Sequence, residues 1–320
     1  MLTSLALATP NDLTVGDPEG LSLRPGLLVD VRGGHGFGGA PVPLFGLQRV
    51  RPTMRGTLLG DRASYVLQAE MVPEPQLLDA VIDVRVMRGL RVQAGRFLLP
   101  FSRTQLTPVP KLLFHGFSPS ANAVRGGRDV GVQLRSKMGP VDLRAGAFQG
   151  PSPLEDGGAA PQGVAHLGVD LVGAVAYDET GAANRPSKDP GLAVGTSVAT
   201  GPTRRLRDDR VWNAQTVGAD TAATLGPARL QAEVFLRAWA DGARDLGGYA
   251  QASVSPIERT ELAARIDRQV TDPGGVWTVQ GLASWYQDGN HLRLSLQYEL
   301  LQADGEAPAH TIALQQQLWF

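Results

Sequence analysis

Apolar and polar residues alternate one by one along most of the chain from about Leu21 onward, in runs broken by turn residues. A period of two places successive side chains on opposite faces of an extended backbone, so each run predicts a β-strand with one apolar and one polar face. The run from His291 to Leu300 is the cleanest: Leu292, Leu294, Leu296, Tyr298 and Leu300 interleave with Arg293, Ser295, Gln297 and Glu299. Leu78, Ala80, Ile82, Val84 and Val86 do the same against Asp79, Asp83 and Arg85, with Val81 the exception. Val130, Val132 and Leu134 alternate with Gln133, Arg135 and Lys137, and Val141, Leu143, Ala145 and Ala147 with Asp142 and Arg144.

Read in this way the sequence predicts about sixteen strands, at 21–34, 45–59, 62–71, 77–88, 90–101, 129–138, 141–149, 166–177, 191–201, 211–225, 228–240, 246–257, 259–269, 276–287, 290–302 and 309–320. Tight turns at Gly60-Asp61, Arg88-Gly89, Gly139-Pro140, Gly226-Pro227 and Asp288-Gly289 contrast with longer connections at 35–44, 103–128, 150–165 and 202–210. An even strand count, with short turns on one rim and long loops on the other, is the signature of a closed antiparallel transmembrane β-barrel with short periplasmic turns and longer extracellular loops. The expectation is therefore an all-β protein with one barrel domain over 21–320. Two features depart from the scheme: 178–190 is long although it falls on the short-turn rim, and Thr271–Gly275 is brief on the other. Pro25, Pro52, Pro100 and Pro256 also lie in or at the ends of predicted strands, where a missing N–H interrupts a ladder.

A soluble all-β sandwich alternates too. Two observations favour the membrane barrel. The polar face is charged on nearly every strand while the apolar face is small and aliphatic, which suits a wet lumen and a lipid exterior. The chain also finishes in alternation on Ile312, Leu314, Leu318 and Phe320, where a soluble domain more often frays into a polar tail. Trp277, Trp285, Tyr286, Tyr298, Trp319 and Phe320 gather near predicted strand ends, where interfacial aromatic girdles would place them, although core packing in a soluble sandwich would explain them nearly as well.

Composition acts mainly by exclusion. The 320 residues carry no cysteine, which removes a disulfide scaffold, a zinc-thiolate site and a cysteine nucleophile. A net charge of −1 argues against a dedicated nucleic-acid binder. No uncharged apolar run reaches the roughly 18 residues of a membrane-spanning helix. The segment 1–20 stands apart: Met1-Leu2-Thr3-Ser4-Leu5-Ala6-Leu7-Ala8 is apolar without the basic start of a secretory signal, and reads as either a signal remnant or a disordered start.

The strand pattern and the terminal phenylalanine look like those of an outer-membrane protein. More specific words follow one another in the first half: Arg49-Val50-Arg51-Pro52-Thr53-Met54-Arg55-Gly56-Thr57-Leu58, Leu78-Asp79-Ala80-Val81-Ile82-Asp83, Gly95-Arg96-Phe97-Leu98-Leu99-Pro100-Phe101-Ser102-Arg103 and Gly127-Arg128-Asp129-Val130-Gly131-Val132-Gln133-Leu134. This series resembles the phosphate-selective porin O and P family, and the likeness resumes at Gly289-Asn290-His291-Leu292-Arg293-Leu294 and in the terminal strand. The resemblance implies a sixteen-stranded barrel, commonly a homotrimer, that passes small solutes across the outer membrane of a Gram-negative bacterium among its lipids. It further implies that the strand ending in Phe320 is read by the barrel-assembly machinery. No lysine cluster of the kind associated with the family's phosphate site is found, so phosphate stays one anion among several.

If Val50, Pro52, Met54 and Leu58 face outward, then Arg49, Arg51, Thr53, Arg55 and Thr57 face the lumen, with successive inward positions about 7 Å apart. Such guanidiniums form a ladder for phosphate or carboxylate, whose geometry their forks match. The other reading is that they pair with Glu70, Asp79 and Asp83 on neighbouring strands. The segment 103–128 holds Arg103, Lys111, His115, Arg125 and Arg128 and no carboxylate. In the family reading it is the third outer loop, folded inward as a constriction whose charge concentrates small anionic solutes. Its apolar Leu112, Leu113, Phe114 and Phe117 would pack it against the wall; a flexible extracellular loop is the other reading. Over all inward positions the signs nearly balance, Arg135, Lys137, Arg144, Arg237, Arg265 and Arg293 standing against Asp142, Asp170, Glu233, Asp267 and Glu299, so any anion preference must arise where the path is narrowest.

No catalytic, cofactor or metal site is expected. Gly34-His35-Gly36-Phe37-Gly38-Gly39 fits the dinucleotide fingerprint, but prolines rather than a helix follow it. The five histidines are scattered away from metal-ligand spacing. Ser197 lacks the closing glycine of a nucleophile elbow. The sequence thus predicts a passive anion channel, with a non-conducting structural or adhesive barrel and a soluble all-β binding protein as rivals.

Overall fold

The structure, a computed structural model, describes residues 15–16, 21–37, 45–59, 62–151, 161–181, 189–205, 208–271 and 274–320. The segment 1–20 lies outside these residues except for Val15–Gly16 (β1), which pairs with the start of β2. Sixteen long strands follow: β2 (Ser22–Phe37), β3 (Gly46–Leu58), β4 (Ala63–Glu70), β5 (Gln76–Met87), β6 (Leu90–Leu98), β7 (Arg128–Met138), β8 (Val141–Phe148), β9 (Gln162–Val172), β10 (Gly191–Arg205), β11 (Arg210–Leu225), β12 (Ala228–Trp239), β13 (Arg244–Val254), β14 (Thr260–Thr271), β15 (Gly274–Asp288), β16 (Leu292–Ala303) and β17 (Ala309–Trp319). Each pairs antiparallel with its sequence neighbours, and β17 pairs back onto β2, Ile312 opposite His35, so the sheet closes with no free edge. Closure is what lets strands cross a bilayer, since every backbone group then has a partner within the wall.

The burial pattern is the reverse of a water-soluble protein. On β16, Leu296 and Tyr298 are 49% and 41% exposed while Ser295 and Gln297, on either side of Leu296, are 1% and 8% exposed. Aliphatic residues on the outer face are exposed in this way around the wall, Ile82, Val132, Val217, Val234 and Ile266 among them. Trp277 and Trp285 stand on the outer face of β15 eight positions apart, which at the usual rise and tilt spans about 20 Å of bilayer height, close to the apolar band of such barrels. Tyr286 does not belong to that girdle. As the neighbour of Trp285 on a strand it points inward, where it is buried and donates to Glu261 Oε2 at 2.7 Å.

The predicted strands all have counterparts, with one displaced. The run predicted at 166–177 is β9 at 162–172, because Gly173 at φ 55 ends the strand and the chain turns inward. Pro52 interrupts no ladder: pairing of β3 with β4 begins at Thr53 opposite Gln68, and beyond it Glu70 Oε1 accepts from the Val50 amide at 2.9 Å. Strand β6 ends before Pro100, and Pro256 lies in the turn between β13 and β14. The turn at Gly60-Asp61 and the glycine-rich residues after Phe37 lie outside the described residues.

The apolar core is inside the barrel, where the chain's inserted segments meet the wall. Val81, Phe97, Phe148, Val164, Phe235 and Tyr249 of the wall pack against Leu99, Phe101, Ala121 and Val124 of the β6–β7 connection. The single apolar intrusion on the polar face of β5, Val81, is thereby accounted for.

Candidate functional site

The β6–β7 connection leaves the long-loop rim and folds into the lumen, carrying α1 (Arg103–Leu106), a 3-10 turn (Val109–Lys111) and α2 (Pro119–Ala123). Wall carboxylates hold its helix N-termini, whose first amides have no partner within the helix. Glu233 of β12 accepts from the Arg103 and Thr104 amides at 3.2 and 2.7 Å. Asp267 of β14 accepts from the Ser120 amide at 3.1 Å and its hydroxyl at 2.7 Å. Gly247 on β13 makes the second approach possible, since a Cβ there would lie 2.8 Å from Ser120 Cβ. Wall arginines take the loop's carbonyls: Arg293 bonds Leu112 O at 2.7 Å, Arg237 bonds Val124 O at 2.9 Å, Arg265 bonds Gly116 O at 3.2 Å and Arg32 bonds His115 O at 2.7 Å. Leu113 and Phe114 pack on Leu282.

A second segment enters from the opposite rim. After Gly173 the β9–β10 connection runs inside the wall, where Asp178, Glu179 and Thr180 are buried. Gly181 N donates to Glu261 Oε1 at 2.8 Å, Arg229 donates to Asp178 O at 2.9 Å and Asn290 to Thr180 Oγ1 at 3.0 Å. The long connection at 178–190 on the short-turn rim is thus, over its described part, an internal element.

Together the two segments fill the half of the lumen against β10–β17. Asp220, Glu233, Glu261 and Asp267 are all buried beneath them. Against β3–β8 the loop covers Val81, Phe97 and Phe148 and leaves space beside them. A chamber there is lined by Asp79, Gln93, Arg128, Gln133, Arg135 and Arg144, with Leu106 of the loop opposite. A wider mouth towards the long-loop rim is lined by Arg125, Arg128, Gln162, Thr203 and Arg204 among others. The overall balance of inward charges therefore conceals a division, with much of the acid covered and a basic wall in water.

Most of the open wall's cations are paired, yet guanidiniums outnumber carboxylates. Arg49 meets Asp30 at 2.7 Å, Arg51 meets Glu70 at 2.5 Å and Arg128 meets Asp79 at 3.0 Å. Asp83 is shared by Arg91 and Arg135, and Asp142 holds Arg144 at 3.0 Å. Arg125 lies over the Phe117 ring at 4.7 Å, and its buried Nε–H has no acceptor among the described residues. Burial, then repulsion from Arg128, Arg51 and Arg49, pushes its guanidinium down to about 10, so it is charged at neutral pH.

Of the seven cations singled out from sequence, Arg49, Arg51, Arg125 and Arg128 come together at the outer half of the open path. Arg55 sits farther along β3, exposed, opposite Arg24 and Val66. Arg103 stands apart: it is 3% exposed, its Nε bonds Asp220 at 3.2 Å and its guanidinium covers Tyr177. Lys111 pairs with Asp178 at 3.2 Å, bridging the two inserted segments. Arg135 and Arg144, which line the same open wall, were legible only as inward charges on alternating strands, and Arg91, which shares Asp83 with Arg135, was not singled out.

The structure also gathers Ser197, His166 and Asp220. Ser197 Oγ lies 2.9 Å from His166 Nδ1, but Asp220 faces that same nitrogen at 4.0 Å, while Nε2 meets Tyr177 OH at 3.1 Å. A relay needs serine and carboxylate on opposite nitrogens. The geometry is that of a packed lumen wall.

A closed barrel with a lipid-facing apolar exterior and a water-lined passage is the architecture of a channel rather than of an enzyme. The chain belongs to the phosphate-selective porin O and P family, whose description matches residues 47–317, and it is accordingly an outer-membrane porin of a Gram-negative bacterium. Among solved structures it is similar to the anion-selective porin from Comamonas acidovorans, at 13% identity and TM-score 0.71, covering 94% of this chain and 100% of that one. OmpT of Vibrio cholerae in its trimer form gives 10% identity and TM-score 0.66, with 94% and 100% covered. Salmonella typhi OmpF in complex with daunomycin gives 9% and 0.65, with 96% and 100% covered. No curated protein matches the sequence.

Proposed function

We propose that this porin is a passive, anion-preferring diffusion channel whose selectivity arises along the open wall of β3–β8, from Arg49, Arg51, Arg125 and Arg128 at its outer half and Arg55 nearer the periplasm. The observation that carries this is the one-sided covering of the lumen, which leaves guanidiniums in excess over carboxylates along the wet path. A passage with low-dielectric walls and charge of one sign concentrates the opposite ion. Phosphate and small carboxylates fit the paired forks equally, so the solute class is small oxyanions. Arg103 and Lys111 serve the loop's attachment in this reading. The trimer form of one structural neighbour and the family's habit support a homotrimer. Phe320, bonded to β2 through Leu27 N at 2.9 Å and Leu27 O at 3.0 Å, is the strand end offered to the assembly machinery, and the outer aliphatic band takes the lipid.

Reversal potentials in a planar bilayer under a salt gradient test the reading. The purified protein should favour chloride over potassium, and Arg51→Glu with Arg55→Glu should move the potential towards cations. Cation preference in the unaltered protein would overturn it.

A further inference from the structure

The segment that enters from the short-turn rim touches the constriction loop at several points, and one side chain among them reaches two parts of it. Glu179 is 3% exposed. Its Oε1 accepts from Thr104 Oγ1 at 2.7 Å and from Gln231 Nε2 at 3.2 Å, its Oε2 accepts from the Leu113 amide at 3.1 Å, and its own amide donates to Lys111 O at 3.0 Å. One carboxylate therefore grips the loop on both sides of the 3-10 turn, at α1 and at Leu113. Thr104 is itself held twice, by Glu179 through its hydroxyl and by Glu233 through its amide. Further ties run from Lys111 to Asp178, and from Arg103 to Ala176 O at 3.3 Å and over the Tyr177 ring. The segment is in turn fixed to the wall at Asp178, Thr180 and Gly181.

We propose that residues 173–181 form a strut that sets the width of the anion path from the periplasmic side, with Glu179 as the residue that positions the constriction loop. The wall grips the loop at its helix N-termini and at the carbonyls of Leu112, His115 and Gly116, and the stretch from Thr104 to Leu113, which carries Leu106 towards the open chamber, is braced in addition by an element of opposite origin. Removing the brace lets the stretch between Thr104 and Lys111 move without freeing the loop's attachments to the wall. This rests on the channel reading, since a width is defined only for a conducting path.

Single-channel recording tests the proposal, because it reads only barrels that have folded and inserted. Glu179→Ala should raise unit conductance about twofold and add open-state noise, while lowering the anion-to-cation permeability ratio as the path widens. Glu179→Asp, too short by one methylene to reach Thr104 and Leu113 together, should show a smaller shift in the same direction. Thr104→Val removes one of the two grips without touching the strut and should also raise conductance and noise. Leu296→Ala, on the lipid-facing side of β16, should leave all three readouts unchanged. Conductance, noise and selectivity equal to the unaltered protein in Glu179→Asp and Thr104→Val would overturn the strut while leaving the channel intact. An unaltered protein that inserts without conducting would overturn the channel reading and the strut with it.

Discussion

A guanidinium without a carboxylate partner is the most informative kind of side chain in a lumen whose other arginines are mostly paired. Arg125 meets that description among the described residues, and its neighbours Arg49, Arg51 and Arg128 repel it. Arg125→Gln should therefore lower the anion-to-cation permeability ratio on the order of a few-fold, read from the reversal potential. Because this guanidinium is protonated below about 10, the ratio should stay constant from about pH 6 to about pH 9 and fall only as the pH rises beyond that value. Arg103→Gln should behave in the opposite manner. It leaves the buried Asp220 unpaired, so it should cost about 3–5 kcal/mol in stability, seen as a lower temperature of heat-modified gel mobility, with little change in selectivity. The sequence made the two arginines look alike, both on a loop free of carboxylates. What separates them is a partner 117 residues away, which no local pattern displays.

At the scale of elements, alternation revealed the wall but not what fills it. Period two fixes which side chains point inward, and it marked Arg237, Arg265 and Arg293 correctly as lumen residues. It could not show that their donors are taken by loop carbonyls instead of solute. The strongest hints were the departures from pattern: Val81 on a polar face, and a long connection on the short-turn rim. Each marks a place where something packs inside the barrel. The displaced β9 has a similar origin, since apolar residues continue past Gly173 to Val175, which is buried against Ala193 and Ala222 rather than paired in the wall. The attachment of α2 can be tested alone. Asp267→Asn weakens the acceptor for Ser120 and should cost about 1–3 kcal/mol locally. Amide exchange over residues 118–123 should then accelerate, with the strands of the wall unaffected.

For the whole molecule, the deciding property is which face of the sheet meets water. Neighbouring residues on β7 give a direct comparison. Val132 is 51% exposed on the outer face and Gln133 is 4% exposed towards the lumen. Arginine in place of Val132 should destabilise the inserted barrel by about 2–4 kcal/mol if it falls near the bilayer midplane, whereas the same residue in place of Gln133 meets the wet chamber and should cost far less. Urea unfolding from lipid vesicles measures both. In a soluble sandwich the order would be inverted.

The seam between β2 and β17 joins segments from the two extremes of the ring-forming chain, with Trp319 opposite Leu28. Sixteen strands can zip up through fifteen sequential pairings and still leave two bare edges, each a template for another chain. The lone contact that turns a ribbon into a cylinder is also the most non-local one, and so the last to be rewarded. A newly made copy is thus exposed to a specific mistake, in which β17 of one molecule docks on β2 of another to give a continuous open ribbon. Escorting that final strand to its own partner is the task this topology hands to the cell.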